Sequence, residues 1–237
     1  MTRCSSVLIW CIRCFFALPF SISAFGDSIK VLATEYPPYT TSHASDSGIF
    51  FRYLDMFAQK ELDGVEFEAV FVPPARAQIL VEGANHCMSF YPPLKGNKDY
   101  GFFPLGNGER VKLGLIRKRQ SGAFTWDDLS ELKGSNVAML RRTDESRMRE
   151  NFIKSGVSVV SVETVLQGVR MLEKGRVDYA FGDNSSLSYF SAYEERSFEH
   201  LQFSTSYLQD VHIGFFYRKD CIERIFGKES ARLLTHQ

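Results

Sequence analysis

The sequence predicts an α/β protein built as two units in series, with mainly parallel sheets and helical crossovers. Three observations predict it. Strand-like and helix-like segments alternate along the chain, the alternation forms two series, and 44% apolar residues among 237 supply enough material for cores of that size. The balance of 28 Lys+Arg against 28 Asp+Glu leaves no basic face for a phosphate backbone, so no nucleic-acid partner is expected. Aromatic residues make up 14%, with 21 Phe and 10 Tyr, enough to fill cores and leave rings over to line a cleft.

Taken in order, Ile29 to Thr34 is β-branched and apolar and predicts a strand. Tyr36-Pro37-Pro38-Tyr39 ends it, because neither proline can donate to a sheet ladder. Asp46 or Ser47 can cap a helix over 48–62, where Ile49, Phe50, Tyr53, Leu54, Phe57 and Leu62 recur at helical spacing. Val65 to Val72 alternates as a second strand, Arg76 to Glu82 reads as a short helix ending near Gly83, and His86 to Phe90 as a third strand. The second series runs as strand Val111 to Arg117, short helix Trp126 to Leu132, strand Asn136 to Leu140 and helix Glu145 to Lys154. It continues as strand Val157 to Val160, helix Val162 to Lys174 and strand Val177 to Phe181, which stops at Gly182-Asp183. In such folds ligands lie beyond the carboxyl ends of the strands, which selects the loops Glu35 to Tyr39, Phe90 to Asp99, Arg141 to Glu145 and Gly182 to Ser186.

Residues 1–25 read as a signal peptide: Arg3, an apolar run from Val7 to Phe20 broken by Arg13, then small residues at Ser21, Ser23, Ala24 and Gly26. Cleavage after Ser23 or after Gly26 fits. The alternative, an uncleaved anchor, needs roughly 20 apolar residues, and this run is shorter. Export to a bacterial periplasm is therefore expected. Cleavage removes Cys4, Cys11 and Cys14 and leaves Cys87 and Cys221. Cys87 sits in an apolar stretch where a free thiol packs as a small hydrophobe, and pairing with Cys221 is the alternative. The five histidines are scattered with no metal-ligand spacing, so no metal and no cofactor are expected.

Several stretches carry a likeness. KVLATEYPPYT, GVEFEAVFVPPARAQILVEG and SVETVLQGVRMLEKGRVDYAFGDNSSLSYF resemble, in order, the extracellular solute-binding proteins of family 3, the amino-acid receptors of ATP-driven importers. The likeness spans about Lys30 to Phe216. It implies a type II periplasmic-binding-protein fold with two hinge crossings, near Leu105 to Arg110 and Gln209 to His212. Lobe I would comprise 26–107 plus 212–237 and lobe II 108–211. After the second crossing the family has two helices; here the segment Asp220 to Leu234, interrupted by Gly227, has room for about one.

The resemblance also implies site residues. Asp183 matches the carboxylate that pairs with a ligand α-amino group; its bland alternative is a helix cap. Asp178, after Gly-Arg, reads as a structural turn. Tyr36 and Tyr39 match the aromatic part of the pocket, with a core role as the alternative. Arg142-Thr143 match a loop offering N–H groups to a ligand carboxylate, although Asp144 and Glu145 occupy the same positive helix end. YPPLKGNKDYGFFP matches the stretch that carries a carboxylate-clamping Arg, and here no Arg is present. Ungapped matching puts Asn97 at that position, with Lys98 and Lys95 beside it and Arg76 as another candidate.

These features imply a periplasmic binding protein that closes on a small polar, amine-bearing solute and presents the closed form to a membrane permease, with a monomer expected and no catalytic residues. Two alternatives stand beside it. One is a dehydratase-like enzyme on the same fold acting on a small carboxylic acid, with Glu35 and Asp183 meeting across the cleft. The other is a sensory protein whose closed form contacts a membrane signalling partner.

Overall fold

The computed structural model describes residues 28–62, 65–83, 86–94, 96–106, 108–142 and 147–235. The signal peptide at 1–25, Lys95 and Thr143 lie outside these residues. Two mixed sheets organise the chain, and no helix among the described residues is long and apolar enough to cross a membrane.

The first sheet begins with β1 (Ile29–Ala33), followed by helix α1 (Ile49–Glu61), β2 (Phe67–Phe71), α2 (Pro74–Glu82) and β3 (Met88–Ser89). β1 pairs in parallel with both β2 and β3, as strands joined by helical crossovers do. β4 (Tyr100–Pro104), to which the sequence analysis assigns no element, then adds an edge. Its aromatic run looks like a strand only once its partner is known. That partner, β11 (Gly214–Arg218), returns from the far end of the chain, and Pro104 is tolerated because β4 lies at the edge of the sheet order β2-β1-β3-β11-β4.

The second sheet contains β5 (Arg110–Lys118), β6 (Asn136–Leu140), β7 (Ser158–Val162), β8 (Tyr179–Asp183), β9 (Leu201–Phe203) and β10 (Gln209–His212). Helices α3 (Arg147–Lys154), α4 (Val165–Glu173) and α5 (Ser186–Tyr193) connect its strands, and a 3₁₀ turn at Leu129–Leu132 stands where a short helix is expected. β6 is parallel to β7 and β8, while β5 runs antiparallel to β8, β9 and β10. Gln209–His212 is thus a strand of the second sheet, and the return to the first comes at Ile213. The two crossings are bonded to each other: Leu105 N–H donates to Ile213 O at 2.9 Å and Ile213 N–H to Glu109 O at 3.3 Å. α6 (Lys219–Thr235) closes the chain, broken at Gly227 where φ is 71°.

Each lobe has its own core. Phe124, Phe152, Phe190 and Leu172 are buried in the second lobe; Phe51, Leu54, Phe103 and Phe215 are buried in the first. Each such side chain contributes about 1.5–3 kcal/mol on leaving water. Asp178 is structural, as its position after Gly-Arg implies. Its Oδ2 accepts Asn136 N–H at 2.8 Å while its own N–H donates to Asn136 Oδ1 at 2.8 Å, clamping the starts of β6 and β8.

One expectation is corrected. Cys87 is not a free thiol: it is bonded to Cys221, with Cα atoms 5.5 Å apart and a sequence separation of 134. The reason is topological. β3 pairs with β11, placing Met88 opposite Tyr217, and Arg218 N–H donates to Cys87 O at 2.9 Å, so the first turn of α6 stands beside the start of β3.

Candidate functional site

The loops after β1 and β8 meet across the two lobes. Following β1, the chain makes a tight turn in which Tyr36 N–H donates to Thr40 O at 2.8 Å and Tyr39 N–H to Tyr36 O at 3.0 Å; the Pro37–Pro38 bond is cis. The turn sets the two tyrosine rings in a stack with centroids 6.0 Å apart. Tyr36 packs against the cores of both lobes, so the pocket and core alternatives for it coincide.

Opposite them, β8 ends at Asp183, which is 1% exposed. Its Oδ1 accepts Ser185 N–H at 2.7 Å and its Oδ2 accepts the Ser186 hydroxyl at 2.7 Å, while Asp183 N–H donates to Ser186 Oγ at 3.0 Å. These bonds anchor the turn into α5, whose first residue is Ser186 rather than Asn184. The N-cap position is Ser185, so Asp183 is not the cap of the helix; its carboxylate braces the turn before α5 and also faces the other lobe. The Tyr39 hydroxyl lies 3.1 Å from Ser185 Oγ and 3.5 Å from Asp183 Oδ1. It has one proton for two acceptors, and the shorter contact is with the serine.

Burial raises the Asp183 carboxyl above its ordinary value, opposed by the bonds from Ser186, Ser185 N–H and the two tyrosines. The same pairing acts on the rings. Burial, then the charge of Asp183, pushes the Tyr39 hydroxyl up to about 12 and the Tyr36 hydroxyl well above its usual value. The Tyr36 hydroxyl is buried near Asp183 without a hydrogen bond of ordinary geometry.

A second cross-lobe contact lies beside the first. Arg141 extends the β6 edge, its N–H donating to Val162 O at 2.8 Å and its guanidinium pairing with Glu163 at 2.7 Å. Arg142, the next residue, reaches the first lobe, its guanidinium 5.4 Å from the centroid of Tyr91. At the rim, His43 and Tyr193 approach with ring centroids 6.3 Å apart.

Other expected residues stand apart from this cluster. Asn97 donates from Nδ2 to Glu82 Oε2 at 3.4 Å and accepts Asp99 N–H at 3.1 Å, which folds its loop onto the end of α2. Lys98 is exposed, with its carbonyl accepting from Lys219 Nζ at 2.8 Å. Arg76 is exposed in the first turn of α2. Glu35 accepts Ser42 N–H at 2.7 Å within its own loop. Sequence reasoning missed Ser185, Ser186 and Tyr91. A signal for Tyr91 was present: Tyr91-Pro92-Pro93 repeats Tyr36-Pro37-Pro38 after a neighbouring strand of the same sheet.

No protein-family model and no curated protein matches the sequence. Solved structures do match. The GluR0 ligand-binding core from Nostoc punctiforme in complex with L-glutamate aligns at a TM-score of 0.62 and 15% identity, covering 88% of this chain and 93% of that one. The fold is the two-lobed, type II solute-binding fold. Holo ArgBP from T. maritima aligns with it at 0.61 and 17% identity, over 88% of this chain and 90% of that one. A double mutant of the Bordetella pertussis BvgS VFT2 domain aligns at 0.63 and 16% identity, over 86% of each chain.

Proposed function

We propose that the protein is a binding protein for a small amine-bearing, amino-acid-like solute, held where Asp183 faces Tyr36 and Tyr39. The observation that carries this reading is Asp183 itself. It is a buried carboxylate at a strand's carboxyl end whose bonding partners are hydroxyls and an N–H rather than a cation. An ammonium group supplies the missing opposite charge, and the Tyr36 hydroxyl is placed to take part. The GluR0 core in complex with L-glutamate, and the arginine-bound form of truncated ArgBP from T. maritima, accord with this choice of solute.

The expected boundary at 212 shifts by one residue, because His212 pairs with Arg110 in the second sheet: the proposed lobes are 26–107 plus 213–237 and 108–212, closing about the paired crossings. Presentation of the closed form to a membrane transporter from the periplasm, after removal of a signal peptide, is the proposed context. The Cys87–Cys221 disulfide supports an oxidising compartment. A sensory role before a membrane signalling partner is the second reading. Tyr39 and Ser185 favour it, because a direct bond between the lobes gives the resting protein a defined closed population.

The test is a thermal-shift screen of the wild type and Asp183→Asn against amino acids, polyamines and small carboxylates. A solute at 100 times its Kd adds about 2.7 kcal/mol, roughly 5–10 °C at this chain length. Asp183→Asn is expected to lose about 10–100-fold in amine affinity while the free protein is no less stable, since the substitution removes a buried charge and keeps an acceptor for Ser185. The pH dependence follows from the raised carboxyl. With its native value above the ordinary 3.8, the protonated acid suits the free fold, so its contribution to stability is full below 3.8 and is lost as pH rises through the raised value. Amine affinity runs the other way, falling as pH drops through that same value. Amine shifts identical in wild type and Asp183→Asn, or equal at both ends of this window, contradict the reading.

A further inference from the structure

We infer that the second lobe holds a separate binding site for phosphate or a small phosphate monoester, in a cavity at the end of its sheet away from the cleft, with Arg117 and Lys118 as its cations. The inference goes beyond the amine reading and does not rest on it. Sheet register separates the two sites. β5 runs antiparallel to β8 with Leu113 opposite Asp183 and Ile116 opposite Ala180, so Arg117 and Lys118 leave the sheet where β8 enters it. Tyr179 opens β8 and Asp183 closes it, four residue steps or about 13 Å apart. The cavity has a volume of about 240 Å³, and Arg117, Lys118, Asp178 and Tyr179 line it together with the buried Leu172 and Val177.

Arg117 is held by its face and by one nitrogen. Nε donates to Gln202 Oε1 at 3.1 Å, and the guanidinium lies 4.3 Å from the centroid of the buried Phe124 ring. The Gln202 amide is fixed in turn, since Oε1 also accepts Gln120 N–H at 2.8 Å and Nε2 donates to Gly122 O at 3.2 Å. Tyr179 stacks on the same Phe124, with centroids 5.4 Å apart and an angle of 14° between the planes. One buried ring thus positions both a guanidinium and a phenol at the cavity. With Nε and the face engaged, the terminal nitrogens of Arg117 are left for a ligand, and among the described residues neither Arg117 nor Lys118 forms an ion pair.

Groups that would repel an anion here are already engaged. Asp178, the one acid among the lining residues, accepts Asn136 N–H. Glu173, at the end of α4, is bonded to Arg196 through both oxygens at 2.8 Å and to His200 at 2.8 Å. The last carbonyls of α4 carry its negative end, and they accept backbone N–H groups: Arg170 O from Lys174, Met171 O from Arg176 and Leu172 O from Gly175. Cations dominate what remains. Lys174 and Arg176, both exposed, flank Gly175, and a methyl group on Gly175 would stand 3.6 Å from Lys118 Nζ, so the ammonium sits beside them.

A guanidinium fork takes two phosphate oxygens in parallel bonds, and an ammonium and a phenol hydroxyl can serve the others. Three kinds of donor from two strands suit an anion with four oxygens better than a planar carboxylate with two. At about 30 Å³ for each water, the cavity has the volume of roughly eight, room for a phosphate with a short organic body.

Calorimetric titration of the full secreted chain with inorganic phosphate, glycerol phosphate and acetate at constant ionic strength tests this. Wild type is expected to bind at least one of the phosphates with a Kd below about 1 mM, and acetate at least about tenfold more weakly. Lys118→Gln and Arg117→Gln are each expected to weaken the phosphate about 10–100-fold. Lys118 is exposed, so its variant keeps the test decisive even where Arg117→Gln disturbs the Phe124 stack. Asp183→Asn is expected to leave phosphate affinity within about twofold, because it alters the other end of β8. Tighter binding of the ester assigns the rest of the cavity to an organic body, and equal constants assign the site to the free ion; both support it. No saturable heat from either phosphate up to about 10 mM, acetate binding as tightly, phosphate affinity unchanged in Lys118→Gln, or an equal loss in Asp183→Asn overturns the site. No amine is titrated, so the reading of Asp183 stands or falls separately.

Discussion

Loss of the Cys87–Cys221 disulfide is expected to lower the melting temperature by roughly 10–20 °C. The cross-link joins positions 134 apart, and for a closed loop of that length chain entropy assigns about 5 kcal/mol of stabilisation at 25 °C. At this chain length each kcal/mol corresponds to roughly 2–4 °C. The bond ties the first turn of α6 to the start of β3, and so holds the C-terminal helix against the sheet whose next loop carries Tyr91. Thermal melts with and without reductant, and of the double variant Cys87→Ala/Cys221→Ala, give the measurement. The double variant removes the cross-link without leaving a polar group at Cys221, which is 2% exposed. A drop below about 3 °C in both experiments would mean that α6 and β3 hold together through packing alone.

The parts of the fold that could be read from sequence are those governed by local rules. The strand Asn136 to Leu140 and the helix expected over Val162 to Lys174 carry clean periodicities, although the helix starts only at Val165, after Thr164 caps it by accepting Gln167 N–H, and Val162 ends the preceding strand. The turn Tyr36 to Tyr39 is marked by two prolines, and the position of Asp183 at a strand end follows from the apolar run before it. What was not legible depends on pairing over long distances. β4 has its partner more than a hundred positions later, and so does Cys87. Asn97 stands apart from the cluster for another reason. An ungapped match fixes a position in the chain but says nothing of the direction its loop takes, and the carboxylate of Glu82 turns that loop toward α2. Tyr91 and Arg142 acquire a joint meaning only when the two lobes meet.

Gly48→Ala is expected to cost about 3–5 kcal/mol and to weaken solute binding with it. Gly48 has φ 100° and ψ 179°, a region open essentially to glycine alone, which accounts for about 1–3 kcal/mol. A methyl group there would also stand 2.6 Å from Tyr39 O and 2.9 Å from Pro38 O. Those two carbonyls are in use: Ile49 N–H donates to Pro38 O at 3.1 Å and Phe50 N–H to Tyr39 O at 2.9 Å. The Tyr36 to Tyr39 turn therefore caps α1 with its own backbone, and each bond lost adds about 1 kcal/mol. Pushing the carbonyls away moves the Tyr39 ring off Ser185 and Asp183, so the substitution reaches the site through the Tyr39 backbone and leaves the site's side chains unchanged. Gly122→Ala is the control, because Gly122 has φ 83° and open space where the methyl would go. It carries the backbone cost of about 1–2 kcal/mol and none of the clash. Denaturant titrations of both variants, with solute affinity measured alongside, should show Gly48→Ala the less stable and the weaker binder. Equal stability of the two, or unchanged affinity in Gly48→Ala, would separate the tyrosine turn from the cap of α1.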